Sequence, residues 1–200
     1  MSVLTDKEIF DAIKERRGSG LTQAHVDAIN AIMYPDKQVT PPAAVPAGSD
    51  PIPADYFDIL AKIESGNRPY VKASTSSASG LYQFIRSTWQ GEGGKWGSNM
   101  SLAFGGLKPS IEEQKQRVRS FTMKNVKVLQ NGGVPINSAT LYASHFLGAG
   151  TALKMFKAER NAPAASIAGV AATKANPSIL AGKTVQQFRD WLQRKTGVKP

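Results

Sequence analysis

Apolar residues recur at helical spacing along most of this chain, and strand-like alternation is rare. Two short amphipathic helices are predicted within residues 1–35, ahead of the stretch VTPPAAVPAGSDPIP. This stretch is rich in Pro and Ala and nearly free of charge, which is typical of a semi-rigid linker. We therefore divide the chain into an N-terminal helical module (1–35), a linker (36–53) and a body (54–200).

The body repeats the helical pattern and predicts a mainly α domain of a size usual for one domain. Its helices are predicted from Asp55 to the Glu64 region, at 81–89, 110–131, 138–147, 150–159 and 163–171, and from Thr184 onward. Ser110 with Glu113, and Thr184 with Gln187, predict capping boxes. Residues 65–80 are rich in Ser, Gly and Thr and predict a loop with at most a short hairpin.

Composition removes several kinds of chemistry. The chain has no cysteine, which excludes a disulfide framework, a thiolate metal site and a cysteine nucleophile. It has two histidines, His25 and His145, so a His-rich metal centre is not expected. No apolar run is long enough to span a membrane, and the charged N-terminus lacks the apolar segment of a secretory signal. We expect a product made in the cytoplasm without a signal peptide.

The net charge of +10 is unevenly distributed. Residues 1–36 carry a balance of −2, and residues 37–200 carry +12. A basic body indicates an anionic partner such as nucleic acid, a membrane surface or a cell-wall polymer, although a generally soluble basic surface explains the charge equally well. The chain shows no Arg/Lys-rich helix, zinc-finger spacing or aromatic RNP-type run, so we do not expect it to bind nucleic acid.

Glu64 is the residue whose position is most informative. It continues the apolar row of Phe57 and Leu60 at the C-terminal end of its predicted helix. Burial of a carboxylate and the negative end of the helix dipole both raise its pKa, as a general acid at neutral pH requires. The alternative is a glutamate that simply reaches solvent from the end of a helix.

A second acid near Glu64 is not evident. No Asp or Glu occurs in the twenty-seven residues between Glu64 and Glu92, and Glu92 itself lies in a loop-like GEGG sequence. Hydroxyl and amide side chains fill the interval instead, among them Ser74, Tyr82 and Gln83. One acid with many neutral polar groups suits sugar binding, and it suits a nucleophile supplied by the substrate.

Three segments then carry a family resemblance: IESGN (63–67), ASGLYQFIRSTW (78–89) and LYASHFLGAG (141–150). In this order and at these separations they resemble the peptidoglycan lytic transglycosylases of the soluble, goose-lysozyme-like type. The versions that bacteriophages carry as endolysins or virion-associated enzymes are especially similar. The similarity spans roughly residues 54–160 and implies a lysozyme-like catalytic domain.

The resemblance implies a role for particular residues. Glu64 matches the catalytic acid/base and Ser65 the residue that steadies it. Gly80 to Gln83 match a Gly-Leu-x-Gln motif whose glutamine lines the cleft. LYASHFLGAG departs from the family's common Ala-Tyr-Asn-Ala-Gly segment, because His145 and Phe146 stand where tyrosine and asparagine are usual. Tyr142 and His145 are three apart, on one helix face, and we expect both to face Glu64.

The implied reaction is cleavage of the β-1,4 bond between N-acetylmuramic acid and N-acetylglucosamine, with no metal or organic cofactor. Closure of a 1,6-anhydro ring by the muramic C6 hydroxyl would replace attack by water. Two alternatives stay open. One is a hydrolysing lysozyme with Glu92 or an upstream Asp as helper. The other is a non-catalytic virion or cell-wall-binding protein.

The remaining expectations concern location and surfaces. A phage-type enzyme without a signal would act on periplasmic peptidoglycan after release by a holin or delivery by a virion. Its final helix, which carries Phe188 and Trp191, could contact an anionic outer membrane, but packing onto the domain is the first expectation. Trp89 is expected in the core and Trp96 either there or stacked on sugar. A monomer is expected, and residues 1–35 could bind cell wall.

Overall fold

The structure is a computed structural model that describes residues 50–200. Asp50–Pro200 forms one compact unit. Its helices are α1 (Tyr56–Ser65), α2 (Arg86–Gly91), α3 (Ile111–Asn131), α4 (Ser138–Leu147), α5 (Ala149–Lys157), α6 (Ala164–Ala168), α7 (Val170–Ala175), α8 (Pro177–Leu180) and α9 (Val185–Thr196). A 3-10 helix spans Ala103–Gly106. The helices predicted within 1–35 and most of the predicted linker lie outside the described residues.

The last residues of the predicted linker pack onto the body. Ile52 is buried, and Asp50 forms an ion pair of 2.6 Å with Arg119 of α3. The body therefore begins at least four residues before position 54. The sequence did not predict this earlier start of the body, because one apolar side chain between two prolines gives no periodic pattern.

Helix α1 places Glu64 at the edge of the core. Tyr56, Leu60 and Ala61 are buried along one side of the helix. The helix ends because Gly66 adopts a left-handed conformation (φ 60°), and its N–H bonds to the carbonyl of Lys62. Asp55 precedes the helix as predicted, but its side chain makes no capping hydrogen bond. Glu64 thus occupies the last turn.

Residues 66–85 form a loop with isolated bridges from Ser79 to Lys72 and to Phe84, in line with the predicted loop and short hairpin. The helix predicted at 81–89 is wrong in its first half, because it begins only at Arg86. The left-handed conformation of Gln83 (φ 48°) prevents an earlier start. Leu81, Tyr82 and Phe84 are buried because a tight turn directs them into the core, and not because they share one face of a helix.

The long helix α3 begins at the predicted cap, although only half of the capping box forms. The Ser110 hydroxyl accepts a hydrogen bond from the Glu113 N–H. The Glu113 carboxylate instead accepts from Arg117, at 2.7 Å. The box at Thr184 and Gln187 is complete, as predicted, and starts α9.

Helix α4 runs through the centre of the unit, and all of its residues from Ser138 to Ser144 are buried. Helix α9 packs its apolar face inward, because Phe188 and Leu192 are fully buried. The helix predicted at 163–171 is instead the start of three short helices, α6 to α8. Gly169 (φ 85°) separates the first two, and Pro177 begins the third.

The described residues are mainly α-helical, and their β structure consists of isolated bridges. Between residues 50 and 200, no helix combines the length and apolar character needed to cross a membrane.

Candidate functional site

A cleft of about 600 Å³ opens beside the end of α1. It is lined by residues from α1, the 78–88 segment, α3, α4 and the start of α8. The predicted residues that line it are Glu64, Gln83, His145 and Phe146. Of the described residues around this cleft, Glu64 is the one that carries a carboxylate.

Glu64 is half-buried, and burial raises the pKa of its carboxyl above the ordinary value. The Tyr142 hydroxyl and the positive charge of Lys195 act in the opposite direction, and they are the weaker influences on this pKa. Burial favours the neutral acid, while the hydroxyl and the cation favour the carboxylate. A raised pKa makes this carboxyl a better general acid than an exposed glutamate, and the cation and hydroxyl help to stabilise the carboxylate that it leaves.

Tyr142 approaches the same carboxyl from α4. The residue is 4% exposed, and burial together with the negative charge of Glu64 raises the pKa of its phenol above the usual range. The phenol therefore remains a hydrogen-bond donor at neutral pH. Its hydroxyl is near enough to lower the pKa of Glu64, but the two groups do not meet the strict geometry of a hydrogen bond. Bonds of this kind often tighten when substrate binds.

His145 lines the cleft without acting on Glu64 directly. Its Nε2 lies 3.0 Å from the carbonyl oxygen of Tyr82. Its Nδ1 is shielded from solvent and has no hydrogen-bond partner among the described residues. Burial lowers the pKa of the imidazole to about 4, so the ring is neutral at pH 7. The residue as a whole is half-buried and lines the cleft, but its Nδ1 is covered.

Gln83 reaches the cleft through the tight turn that Gly80 begins. Its Nε2 donates to the Gly80 carbonyl at 3.0 Å, which leaves the amide oxygen available to a ligand. Gly80 has a φ of 80°, and a Cβ there would lie 2.4 Å from both Gln114 Oε1 and Phe104 Cζ. Gln114 Oε1 accepts the Leu81 N–H at 2.9 Å and so fixes the turn from α3.

Phe146 joins the cleft to the C-terminal helix. Its ring lies 5.0 Å from that of Trp191, and the Tyr142 and Trp191 rings lie 5.6 Å apart. These rings pack α9 against the site-bearing face of α4. The first expectation for the final helix, packing onto the domain, is therefore confirmed.

Other predicted site residues lie elsewhere. Ser74 is exposed and does not line the cleft, although Ala78 at the end of the same loop does. The Tyr82 ring is buried against Phe57, so this residue contributes its carbonyl to His145 and not its hydroxyl to the cleft. Ser65 is buried and bonds to the Ala61 carbonyl and the Arg68 N–H, which supports the end of α1.

Glu92, the candidate second acid, is engaged outside the cleft. Its carboxylate accepts from Lys124 at 2.7 Å and from the Ser120 hydroxyl at 2.8 Å. Both partners belong to α3. These two contacts, of which the one with Lys124 is an ion pair, position the carboxylate to support α3 and the loop after α2.

The two tryptophans of the 86–97 region serve the core. Trp89 is fully buried, and its indole N–H donates to the Lys95 carbonyl at 2.8 Å. Trp96 is partly buried against Phe104. Neither lines the cleft.

Sequence reasoning missed several lining residues. Ile85 and Thr88 come from the segment after Gln83, and Phe121 comes from α3. Gly148 lies just before α5, and Asn176 lies just after α7. Ile85 is 46% exposed, and its position two residues after the Gly-Leu-x-Gln motif was the one sequence signal that could have found it. Asn176 gave no signal, because its distance from Glu64 in sequence says nothing of its distance in space.

No protein-family model matches the chain, and no curated protein shows significant sequence similarity to it. Within residues 50–200, no group of three or more His, Asp or Glu side chains is close enough together to hold a metal ion.

Proposed function

We propose that this chain is a peptidoglycan-cleaving glycosidase with a lysozyme-like catalytic domain, and that it acts as a lytic transglycosylase. The observation that carries this proposal is the position of Glu64. It is a half-buried carboxyl with a raised pKa, and it lines an open cleft in which the other described residues bear no carboxylate. A cleft with a single acid favours a mechanism in which the substrate supplies the nucleophile.

In the proposed reaction, neutral Glu64 gives its proton to the glycosidic oxygen between N-acetylmuramic acid and N-acetylglucosamine. The C1–O bond breaks, and positive charge develops at the muramic C1. The muramic C6 hydroxyl attacks C1, and the Glu64 carboxylate takes the hydroxyl proton. A 1,6-anhydro end and a free N-acetylglucosamine 4-hydroxyl result, so the atoms balance without water.

The surrounding side chains suit this chemistry. Tyr142 stays protonated, and it can stabilise the Glu64 carboxylate that forms after the first proton transfer. The amide of Gln83, the hydroxyl of Thr88 and the amide of Asn176 line the cleft and offer hydrogen bonds to acetamido and hydroxyl groups. Phe146 offers an apolar wall for a pyranose face.

The cellular setting belongs to the same proposal. A phage-type enzyme of this class is made in the host cytoplasm and acts on periplasmic peptidoglycan, released by a holin or carried by a virion. The basic body suits an anionic wall polymer or the charged surface of an outer membrane. No cofactor is required, and the enzyme acts as a monomer.

Mass spectrometry of digested, purified peptidoglycan tests the proposal. Wild type should release 1,6-anhydro muropeptides, and Glu64→Gln should release none. Glu92→Gln is the matched control: it makes the same chemical change outside the cleft and should give the wild-type products. If wild type instead releases muropeptides with reducing ends, and Glu92→Gln does not, the enzyme is a hydrolysing lysozyme. Equal solubilisation of the wall by wild type and Glu64→Gln would refute the catalytic assignment.

A further inference from the structure

A second cavity, of about 230 Å³, lies between α8 and α9. We call it the α8–α9 pocket. Its charged and polar walls include Lys183, Asp190 and Arg194, and its apolar walls are Ile179 and Trp191. The volume is below the range usual for a whole drug-sized ligand, so it suits one charged part of a larger molecule.

The two cations of this pocket are not neutralised within the described part of the chain. Lys183 and Arg194 form no ion pair and no side-chain hydrogen bond with residues 50–200. Asp190 is one helical turn before Arg194 on α9, a spacing that often gives an ion pair. Its carboxylate accepts from Gln186 at 2.7 Å instead, which leaves the Arg194 guanidinium available.

The pocket adjoins the Glu64 cleft. Asn176 lines the cleft, and Ile179, three residues later, lines the pocket. The Trp191 ring forms a pocket wall and packs within 5.0 Å of Phe146, which lines the cleft. One aromatic contact therefore joins a wall of the cleft to a wall of the pocket, and a side branch of a polymer held in the cleft would have the pocket as its neighbouring site.

The local charge identifies the chemistry of that branch. Residues 148–200 carry nine basic and two acidic side chains, so this quarter of the chain holds most of the net positive charge. Two free cations attract carboxylates, and the remaining oxygen of Asp190 can accept from an ammonium group. A branch with several carboxylates and one ammonium group matches this set.

We propose that the α8–α9 pocket binds the peptide branch of peptidoglycan, through its carboxylates at Lys183 and Arg194 and its ammonium group at Asp190. This inference rests on the proposed function, because it takes peptidoglycan as the substrate. The pocket would thereby favour glycan strands that carry peptides over strands that have been stripped of them.

Calorimetric titration of the full chain with the tripeptide L-alanyl-γ-D-glutamyl-meso-diaminopimelate tests binding without any catalytic step. Wild type should bind it, and the double variant Lys183→Ala/Arg194→Ala should bind at least tenfold more weakly. The matched control is Lys115→Ala/Lys127→Ala, which removes two exposed cations of α3 that line neither cavity. Absence of binding by wild type, or equal weakening in both double variants, would overturn the inference.

A second measurement separates the two proposals. Cleavage of peptide-bearing strands is compared with cleavage of strands whose peptides an amidase has removed. We expect wild type to show a lower KM for the peptide-bearing strands, and the Lys183/Arg194 variant to lose this difference with its kcat unchanged. Equal KM values for active wild type on both strands would refute the pocket assignment alone. If neither strand is cleaved, the proposed function fails, and the tripeptide titration still decides whether the pocket binds peptide.

Discussion

The Nε2 atom of His145 lies 3.0 Å from the carbonyl oxygen of Tyr82. A carbonyl can only accept, so Nε2 carries the proton and Nδ1 is the unprotonated nitrogen of a neutral ring. This contact ties α4 to the turn that presents Gln83. His145 lines the same cleft as Glu64, and this contact gives it a positioning role that the sequence did not predict, because it holds the turn that carries Gln83.

The first prediction concerns the titration of His145. Burial lowers its pKa to about 4, so its NMR signals should not titrate between pH 8 and pH 5. His25→Gln leaves one histidine and assigns the signals. Because the folded pKa is below the unfolded one, the stabilisation from this group is present above about pH 6.5 and is lost as pH falls toward 4, by up to about 3 kcal/mol. A titration midpoint near 6.5 would contradict the buried, neutral ring.

The second prediction separates a positioning role from an acid/base role for His145. His145→Gln can still donate to the Tyr82 carbonyl, whereas His145→Leu cannot. We expect the Gln variant to retain activity within about tenfold, and the Leu variant to lose more, chiefly through KM, because the turn that carries Gln83 shifts. The pH dependence of kcat should be the same in both. Loss of one limb of that profile in both variants would show that His145 transfers a proton.

The third prediction concerns the pH limit set by Glu64. General-acid catalysis requires the protonated carboxyl, so kcat/KM should fall as pH rises through its raised pKa. Tyr142 and Lys195 both lower that pKa, so Tyr142→Phe and Lys195→Gln should each move this limb to higher pH. Tyr142→Phe should also reduce kcat, on the order of 100-fold.

Two controls, high ionic strength and substitution of another exposed lysine, show whether the shift caused by Lys195→Gln is specific. The effect of Lys195 should weaken at high ionic strength, because the side chain is exposed and its charge is screened. Lys127→Gln, an exposed lysine of α3 away from the cleft, should leave the profile unchanged. A limb that moves to lower pH in Tyr142→Phe would be incompatible with the arrangement described.

The fourth prediction is that Glu64, the proposed catalytic acid, lowers the stability of the folded protein at neutral pH. Since the folded-state pKa of Glu64 is raised, its favourable contribution is complete below the unfolded pKa of 4.5 and is lost as pH rises. Glu64→Gln should therefore unfold at a higher temperature than wild type at pH 7. The difference should narrow below pH 4.5, as scanning calorimetry can measure. Glu92→Gln should show the opposite sign at pH 7, because it removes the ion pair with Lys124.

Helical periodicity predicted most of the architecture, since α1, α3, α4, α5 and α9 all bury residues at that spacing. It also placed Glu64 correctly, because a carboxylate that continues an apolar row must come near the core boundary. It failed at residues 81–85, where Leu81 and Phe84 are buried by a turn with left-handed Gln83. Apolar residues in a tight turn and in a short helix look alike in sequence.

The composition of the cleft was less predictable than its acid. Gln83, His145 and Phe146 were found through motif resemblance, whereas Phe121 comes from α3 and Asn176 from the junction of α7 and α8, and no local pattern encodes how these pack around Glu64. Ser74 shows the converse error. Its hydroxyl lies in the right stretch of sequence, but the loop carries it outward.

The last prediction tests the turn that presents Gln83. Gly80→Ala would force a side chain into a left-handed conformation and against Phe104 and Gln114 Oε1, which the structure places 2.4 Å from the new Cβ. We expect a loss of about 3 kcal/mol, or roughly 6–12 °C in Tm, together with reduced kcat as the Gln83 amide moves.

Gly150→Ala is the matched control. Gly150 lies in α5 with no neighbour within 4 Å of an added Cβ, so its substitution should stabilise by about 0.5–1 kcal/mol and leave activity unchanged. Equal stability of the two variants would show that the turn accommodates a side chain, and that Gly80 does not set the position of Gln83.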